Sequence, residues 1–172
     1  MIKILSSILL FLFLIFSSYQ LGIRINNSQS YPPGIYLLSS TNHYDKNELI
    51  LFCPPANNPA ILEALERDYI DSGRCDAGTV PIIKRIVGLE GDSVKFTPFI
   101  EINNVPLKDS IRLKLDGQKR QLPQIDNFTV PPGHFFAYSE HAPKYSFDSR
   151  YFGPVPIKNI LGKIKPLILF PQ

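Results

Sequence analysis

Apolar positions are spread very unevenly along this chain. From Ile4 to Ile23 no residue is charged, Lys3 and Arg24 bracket the stretch, and Ile8 to Phe16 is an unbroken run of Ile, Leu and Phe. A bilayer-spanning helix needs about 20 such residues at about 1.5 Å each, and Tyr19 suits a headgroup interface. The pattern predicts an N-terminal transmembrane helix, kept as a membrane anchor over residues 1–24. A cleaved secretory signal is the competing reading, with Lys3 as its basic start and Ile8–Phe16 as its apolar centre, although no A-x-A motif follows. Either reading exports the remainder, and the flanking charges favour a cytoplasmic N-terminus.

Beyond Arg24 the apolar runs are short and broken by polar turns. Gly34–Leu38, Leu49–Phe52, Thr79–Val87, Val94–Phe96, His134–Tyr138 and Ile160–Leu169 predict strands. Phe99–Ile102 and Val105–Leu107 flank Asn103-Asn104, a pair that tolerates positive φ and suits a tight hairpin. One segment has helical spacing: Ile61, Leu62, Leu65, Tyr69 and Ile70 share a face, with Asn58 able to cap, Pro59 at the first position and Gly73 as an end. The fold expected is mainly β, with bent antiparallel sheets, one short surface helix and the N-terminal transmembrane helix. Residues 25–172 form the exported domain, with a Cys-bracketed helical insertion at about 53–75.

Composition narrows this picture. The chain has 172 residues, 44% hydrophobic and 19% charged, which is room for one domain and a small attachment. Sixteen prolines stand against ten glycines, where about 5% Pro is average, and that density disfavours a helical bundle. Eighteen basic residues face fifteen acidic ones, and Lys3 and Arg24 account for two of the basic residues. The remainder is therefore close to neutral, too little positive charge for a dedicated nucleic-acid partner. Cys53 and Cys75 are the only cysteines, and an even pair outside the cytoplasm commonly forms a disulfide; two unrelated buried thiols are the alternative. Two Cys and three scattered His offer no metal-ligand cluster, so neither a metal nor a cofactor is expected.

Three segments have the makings of a site. In Ser28-Gln29-Ser30-Tyr31-Pro32-Pro33-Gly34-Ile35-Tyr36, prolines and a glycine fix the backbone just after Ser30, as a nucleophile requires. Ser28 could offer a hydroxyl to a developing oxyanion beside the Ser30 N–H. In Lys84-Arg85-Ile86-Val87-Gly88-Leu89-Glu90-Gly91-Asp92-Ser93-Val94, Lys84 shares a strand face with Ile82 and Ile86. Desolvation there favours the neutral amine, a base for a Ser hydroxyl; a Lys snorkelling from a strand edge is the bland reading. Arg85 points to the other face and stays charged. In Ser146-Phe147-Asp148-Ser149-Arg150-Tyr151-Phe152-Gly153-Pro154, Asp148 and Arg150 could pair along an extended segment, and Ser146 could bond a catalytic amine. A Ser-His-Asp triad is the rival, but His43, His134 and His141 accompany no G-x-S-x-G setting, and His141 reads as a loop residue.

Taken in order, the three segments resemble the boxes of the type I signal peptidase family, most of all its conjugative-transfer, TraF-type branch. S-x-P-x-G-x-Y, K-R-[IV]-x-G-x-x-G-D-x-V and S-x-D-S-R-x-x-G are matched in order and spacing, and Leu51-Phe52-Cys53-Pro54-Pro55 is similar to the TraF-type chain after its first strand. Tyr31 stands where signal peptidases usually have Met, and Glu90 where they often have Pro. Tyr138-Ser139-Glu140-His141 lies where a Gly-Asp-Asn is usual. The resemblance implies a fold of the signal-peptidase type and a Ser/Lys dyad, Ser30 as nucleophile and Lys84 as base. It further implies an oxyanion hole at the Ser30 N–H and Ser28, Ser146 orienting Lys84, and Asp148–Arg150 bracing the site. The expected activity is that of a membrane-anchored serine endopeptidase processing an exported precursor, a pilin-like subunit of a conjugation or type IV secretion system. The expected location is single-pass in the cytoplasmic membrane, with the catalytic domain on the periplasmic side. Its partners would be the precursor polypeptide and membrane lipid. A general signal peptidase and a non-catalytic assembly protein of the secretion apparatus are the other readings. Six residues separate Ile23 from Ser30, so the nucleophile would sit near the bilayer surface.

Overall fold

Alternating strands and proline-rich turns build two antiparallel sheets. The structure, a computed structural model, describes residues 2–171. Met1, Gln172 and the Lys3 side chain, whose charge the secretory-signal reading uses, lie outside that description. In chain order the elements are α1 (Ile2–Gln20), β1 (Ile23–Asn26), β2 (Gly34–Ser39), β3 (Leu49–Phe52), α2 (Pro59–Glu66), β4 (Ile82–Leu89), β5 (Ser93–Phe96) and β6 (Ile100–Ile102). There follow β7 (Val105–Pro106), β8 (Phe128–Thr129), β9 (His134–Tyr138), α3 (Ser149–Phe152), β10 (Val155–Pro156) and β11 (Ile160–Leu169).

The larger sheet has the order β1-β2-β11-β3-β4-β9-β10 and the smaller β7-β6-β5-β8. The main core, including Ile50, Phe52, Ile61, Ile86, Phe135 and Phe152, packs α2 and α3 against the larger sheet. A second cluster of Tyr31, Tyr36, Leu51, Ile83 and Ile164 lies beneath the Ser30 turn. The smaller sheet buries Val94, Ile100 and Ile102 with Val130 and Phe136. Ile102 pairs with Val105 across Asn103-Asn104, whose φ angles of 53° and 65° are what a tight hairpin turn needs.

The expected strand Thr79–Val87 is observed as β4, Ile82–Leu89, and β8 and β10 had no expected counterpart; three further differences have a local cause. Apolar spacing alone extends the helix between the cysteines to Gly73, but α2 ends at Glu66 because Asp68 turns left-handed at φ 58°. The third candidate segment is not extended: Asp148 caps the short helix α3, its side chain accepting from the Arg150 N–H. At the N-terminus α1 stops at Gln20, Gly22 takes φ 86°, and Ile23 already pairs with Leu37. Among the described residues no helix is long and apolar enough to cross a membrane. Cys53 and Cys75 do form a disulfide, which closes the insertion around α2.

Candidate active site

Ser30 lies in the loop between β1 and β2, which closes where Asn26 pairs with Gly34. Prolines cannot donate backbone hydrogen bonds, so side chains brace this loop. The Asn26 amide donates to the carbonyls of Tyr31 and Pro32, each at 3.0 Å. Its oxygen accepts from the Ser28 N–H at 3.2 Å and the Ser28 hydroxyl at 2.7 Å. Tyr36, buried under the loop, donates from its hydroxyl to the Pro32 carbonyl at 2.7 Å. Gly34 permits β11 to pass close by, since a Cβ there would overlap the Ile168 carbonyl oxygen.

Ser30 itself is buried, with Oγ 3.2 Å from Ser28 Oγ. Because the one hydroxyl proton of Ser28 is already given to Asn26, Ser30 is the donor in that contact. Ser28 would therefore have to rotate its proton away from Asn26 to serve an oxyanion. Among the described residues no hydrogen bond joins Ser30 Oγ to the Lys84 amine. Long catalytic contacts that close only on substrate are common in unliganded enzymes.

Lys84 is on β4, which runs between β3 and β9 and so is not a sheet edge. It pairs with Ile50 and is only 2% exposed. That excludes a Lys snorkelling from an edge. Burial lowers its pKa to about 8, with the Asp148 carboxylate pulling it back up and the Arg150 guanidinium adding to the fall. The amine is therefore neutral in a useful fraction near physiological pH. Next in sequence, Arg85 faces the other way and forms an ion pair with Glu140.

The third segment wraps a charge cluster closed to solvent. Arg150 and Asp148 pair at 2.7 Å with both side chains fully buried. Asp148 also accepts from the Ser146 hydroxyl at 3.0 Å and from the Ser139 N–H at 3.3 Å. Arg150 spends its remaining donors on the carbonyls of Ile111, Pro143 and Ser146, and lies over the Tyr138 and Tyr151 rings at 5.0 and 5.4 Å. A buried pair is secure only when all its donors and lone pairs are met. The Ser146 hydroxyl is turned to Asp148, so any effect of Ser146 on Lys84 passes through that carboxylate.

The fold thus brings Ser28 and Ser30 into one braced loop, and joins Lys84 electrostatically to Asp148 and Arg150. Cys53 and Cys75 lie apart, at the α2 insertion. Three residues that sequence patterns did not single out tie these parts together: Asn26, Ser139 and Glu140. Ser139 donates its hydroxyl to the Ser30 carbonyl oxygen at 2.5 Å, and Glu140 accepts from the Tyr31 hydroxyl at 2.5 Å. The one available signal was the missing Gly-Asp-Asn in the neighbourhood of Tyr138-Ser139-Glu140-His141, which fell between the candidate segments.

Comparison with known proteins shows the family to which the chain belongs. The family model described as "Signal peptidase, peptidase S26" matches residues 1–169. The conjugal transfer protein TraF of Agrobacterium fabrum is 33% identical over 150 residues, 87% of this chain and 84% of that one. The plasmid transfer protein TraF of Escherichia coli is 32% identical over 155 residues, covering 88% and 86% respectively. Signal peptidase I V of Bacillus subtilis is 30% identical over 93 residues, 48% of this chain and 55% of that one. A solved signal peptidase I from Enterococcus faecalis aligns with a TM-score of 0.41 and 23% identity, over 72% of this chain and 98% of that one. With a family match across nearly all its residues and TraF relatives a third identical over most of both chains, the chain belongs to the S26 signal peptidase family.

Proposed function

We propose that this protein is a membrane-anchored serine endopeptidase that cleaves an exported precursor through a Ser30/Lys84 dyad. The observation that carries the proposal is Lys84, a lysine enclosed in the middle of a sheet with its pKa lowered to about 8. The buried carboxylate that acts on it, Asp148, bonds Ser139, which in turn bonds the Ser30 carbonyl. In the reaction, neutral Lys84 takes the Ser30 proton as Oγ attacks the scissile carbonyl. The tetrahedral oxyanion is met by the Ser30 N–H and by the Ser28 hydroxyl once it rotates from Asn26. The Lys84 ammonium then returns its proton to the leaving amine, which leaves an acyl-enzyme on Ser30. Deacylation repeats the sequence with an incoming nucleophile, its proton passing to Lys84 and then to Ser30 Oγ.

Residues 1–24 serve as the anchor and residues 25–172 as the catalytic domain, on the periplasmic face of the cytoplasmic membrane. In support, α1 is uncharged from Ile4 to Gln20 and exposes apolar side chains from Ile4 to Tyr19. The anchor reading rests on the sequence of residues 1–24, since no described helix is by itself long and apolar enough to cross a membrane. At the end of α1 Arg24 lies over the Tyr19 ring at 3.8 Å, an arrangement suited to the headgroup layer. The names of the TraF relatives support conjugative transfer as the setting, and the substrate proposed there is a pilin-like subunit.

The test is co-expression with pilin-like precursors from the same transfer system, comparing the parent with Ser30→Ala and Lys84→Ala. Loss of processing in both supports the dyad, and processing that survives both removes it. Product masses separate hydrolysis from cyclisation by an internal amine. A general signal peptidase would also cut unrelated exported precursors.

A further inference from the structure

The strand order poses a problem for the proposed dyad. Ser30 precedes β2 and Lys84 is on β4, and β11 and β3 lie between those two strands. Three strand spacings are roughly 14 Å. The loop that carries Ser30 must therefore be drawn across the sheet to bring Oγ near the amine. Asn26 and Tyr36 brace the loop from its own hairpin and cannot supply that pull.

The segment leaving β9 meets the loop at three consecutive residues. Ser139, fully buried, donates its hydroxyl to the Ser30 carbonyl oxygen at 2.5 Å and its N–H to Asp148 at 3.3 Å. Glu140 accepts from the Tyr31 hydroxyl at 2.5 Å with one carboxylate oxygen and from Arg85 with the other. His141 stacks on the Tyr31 ring with centroids 6.2 Å apart. Tyr31 follows Ser30 in the chain and Arg85 follows Lys84. A single carboxylate thus holds the neighbour of the nucleophile and the neighbour of the base.

We propose that Ser139 and Glu140 are positioning residues that set the nucleophile loop against the strand of the base, through the Ser30 carbonyl and the Tyr31 hydroxyl. Neither touches the reacting atoms, and the role rests on the Ser30/Lys84 reading. Displacement of a reacting group by about 1 Å can cost about a hundredfold in rate, so two loop contacts can matter greatly for turnover and little for substrate affinity. Tyr31 replaces the Met usual in signal peptidases, and a hydroxyl is what lets Glu140 grip that position.

Steady-state cleavage of a precursor peptide by the full-length protein in detergent tests this, with Tm and the pH profile recorded for each variant. Ser139→Ala and Tyr31→Phe are each expected to lower kcat about ten- to a hundredfold. KM should change less than about threefold, and the acid limb of the profile should stay at the parental pH, because the base is untouched. Ser139→Thr, which keeps the hydroxyl, should recover most of the loss. Tyr31→Phe combined with Glu140→Ala should cost little more than the worse single variant, since both remove one contact. Parental kcat in Ser139→Ala and Tyr31→Phe, or a loss that merely follows a fallen Tm, or a displaced acid limb, overturns the positioning role. If Ser30→Ala also remains active, the dyad falls and the positioning role with it. If Ser30→Ala is dead while those two variants turn over normally, only the positioning role falls.

Discussion

An ammonium held inside a sheet works against folding, and Lys84 carries that cost for the sake of a neutral amine. Its folded pKa of about 8 lies below the ordinary 10.5. The amine therefore destabilises the fold fully below about pH 8, and the penalty fades as pH rises towards the unfolded value. From that shift the penalty is roughly 3 kcal/mol. Lys84→Met is accordingly expected to abolish cleavage while raising Tm by several degrees at pH 7, with the gain shrinking as pH rises above about 8, as scanning calorimetry across pH would record. Cleavage by the parent should climb through an apparent pKa near 8. Asp148 raises the Lys84 pKa, so in Asp148→Asn the acid limb of kcat/KM should move to lower pH. That variant also leaves Arg150 buried without its counter-charge, and denaturant unfolding should show a loss of about 3–5 kcal/mol. Lys84 was legible because a charged residue alternating with Ile82 and Ile86 breaks a pattern. Asn26, Ser139 and Glu140 break none: polar residues in loops and at strand ends are ordinary, and the partners Tyr31 and Glu140 lie 109 positions apart.

Local rules placed most strands well, because each depends on neighbours in the chain. His134–Tyr138 and Ile160–Leu169 match β9 and β11 residue for residue, and Asn103-Asn104 makes the hairpin its side chains favour. Where the bonding of a side chain decides the outcome, those rules fell short. Asp148 begins a helical turn rather than an extended run, since capping the Arg150 N–H and pairing with its guanidinium both need the chain to turn there. The insertion between the cysteines shows how one element supports another. Asn58 caps α2 with its side-chain oxygen on the Ala60 N–H at 3.0 Å, while its amide donates to the Phe152 carbonyl of α3 at 2.8 Å. Asn58→Ala removes both, and thermal unfolding should register about 1–2 kcal/mol. The Cys53–Cys75 bridge closes a loop of 22 positions. Cys53→Ser with Cys75→Ser should therefore destabilise by about 3 kcal/mol in the chain-entropy account. The proposed dyad lies outside this loop, so kcat at a temperature where the variant stays folded should remain near the parental value.

At the scale of the whole molecule, apolar surface is exposed along α1 and at both ends of the β1–β2 hairpin. The Gly22 carbonyl accepts a hydrogen bond from the Leu38 N–H, so α1 joins the β1–β2 hairpin at the end opposite the Ser30 loop. Leu21 and Ile25 stand exposed nearby, and the end of β11 and the residue after it, Leu167 to Phe170, are exposed as well. That end lies against the same loop, since Leu169 pairs with Gly34 and the Phe170 N–H donates to the Pro33 carbonyl at 2.9 Å. Lipid around α1 would meet this surface too, holding Ser30 at the depth where a precursor leaves the bilayer. Chain topology supports separability of the two parts, because the three hydrophobic clusters contain no residue before Tyr31. Removal of residues 1–20 is therefore expected to leave a folded β domain with a cooperative melt. That domain should cleave a soluble peptide with kcat close to the parent's. Processing of a membrane-embedded precursor should fall by at least the tenfold that loss of local concentration entails, and the protein should leave the carbonate-washed membrane fraction. Intact mass of the parent should include residues 1–24; a mass lacking them would turn the anchor into a removed signal. Equal processing of the embedded precursor by the shortened protein would show that the exposed β11 end and its neighbours are enough to hold the site at the membrane.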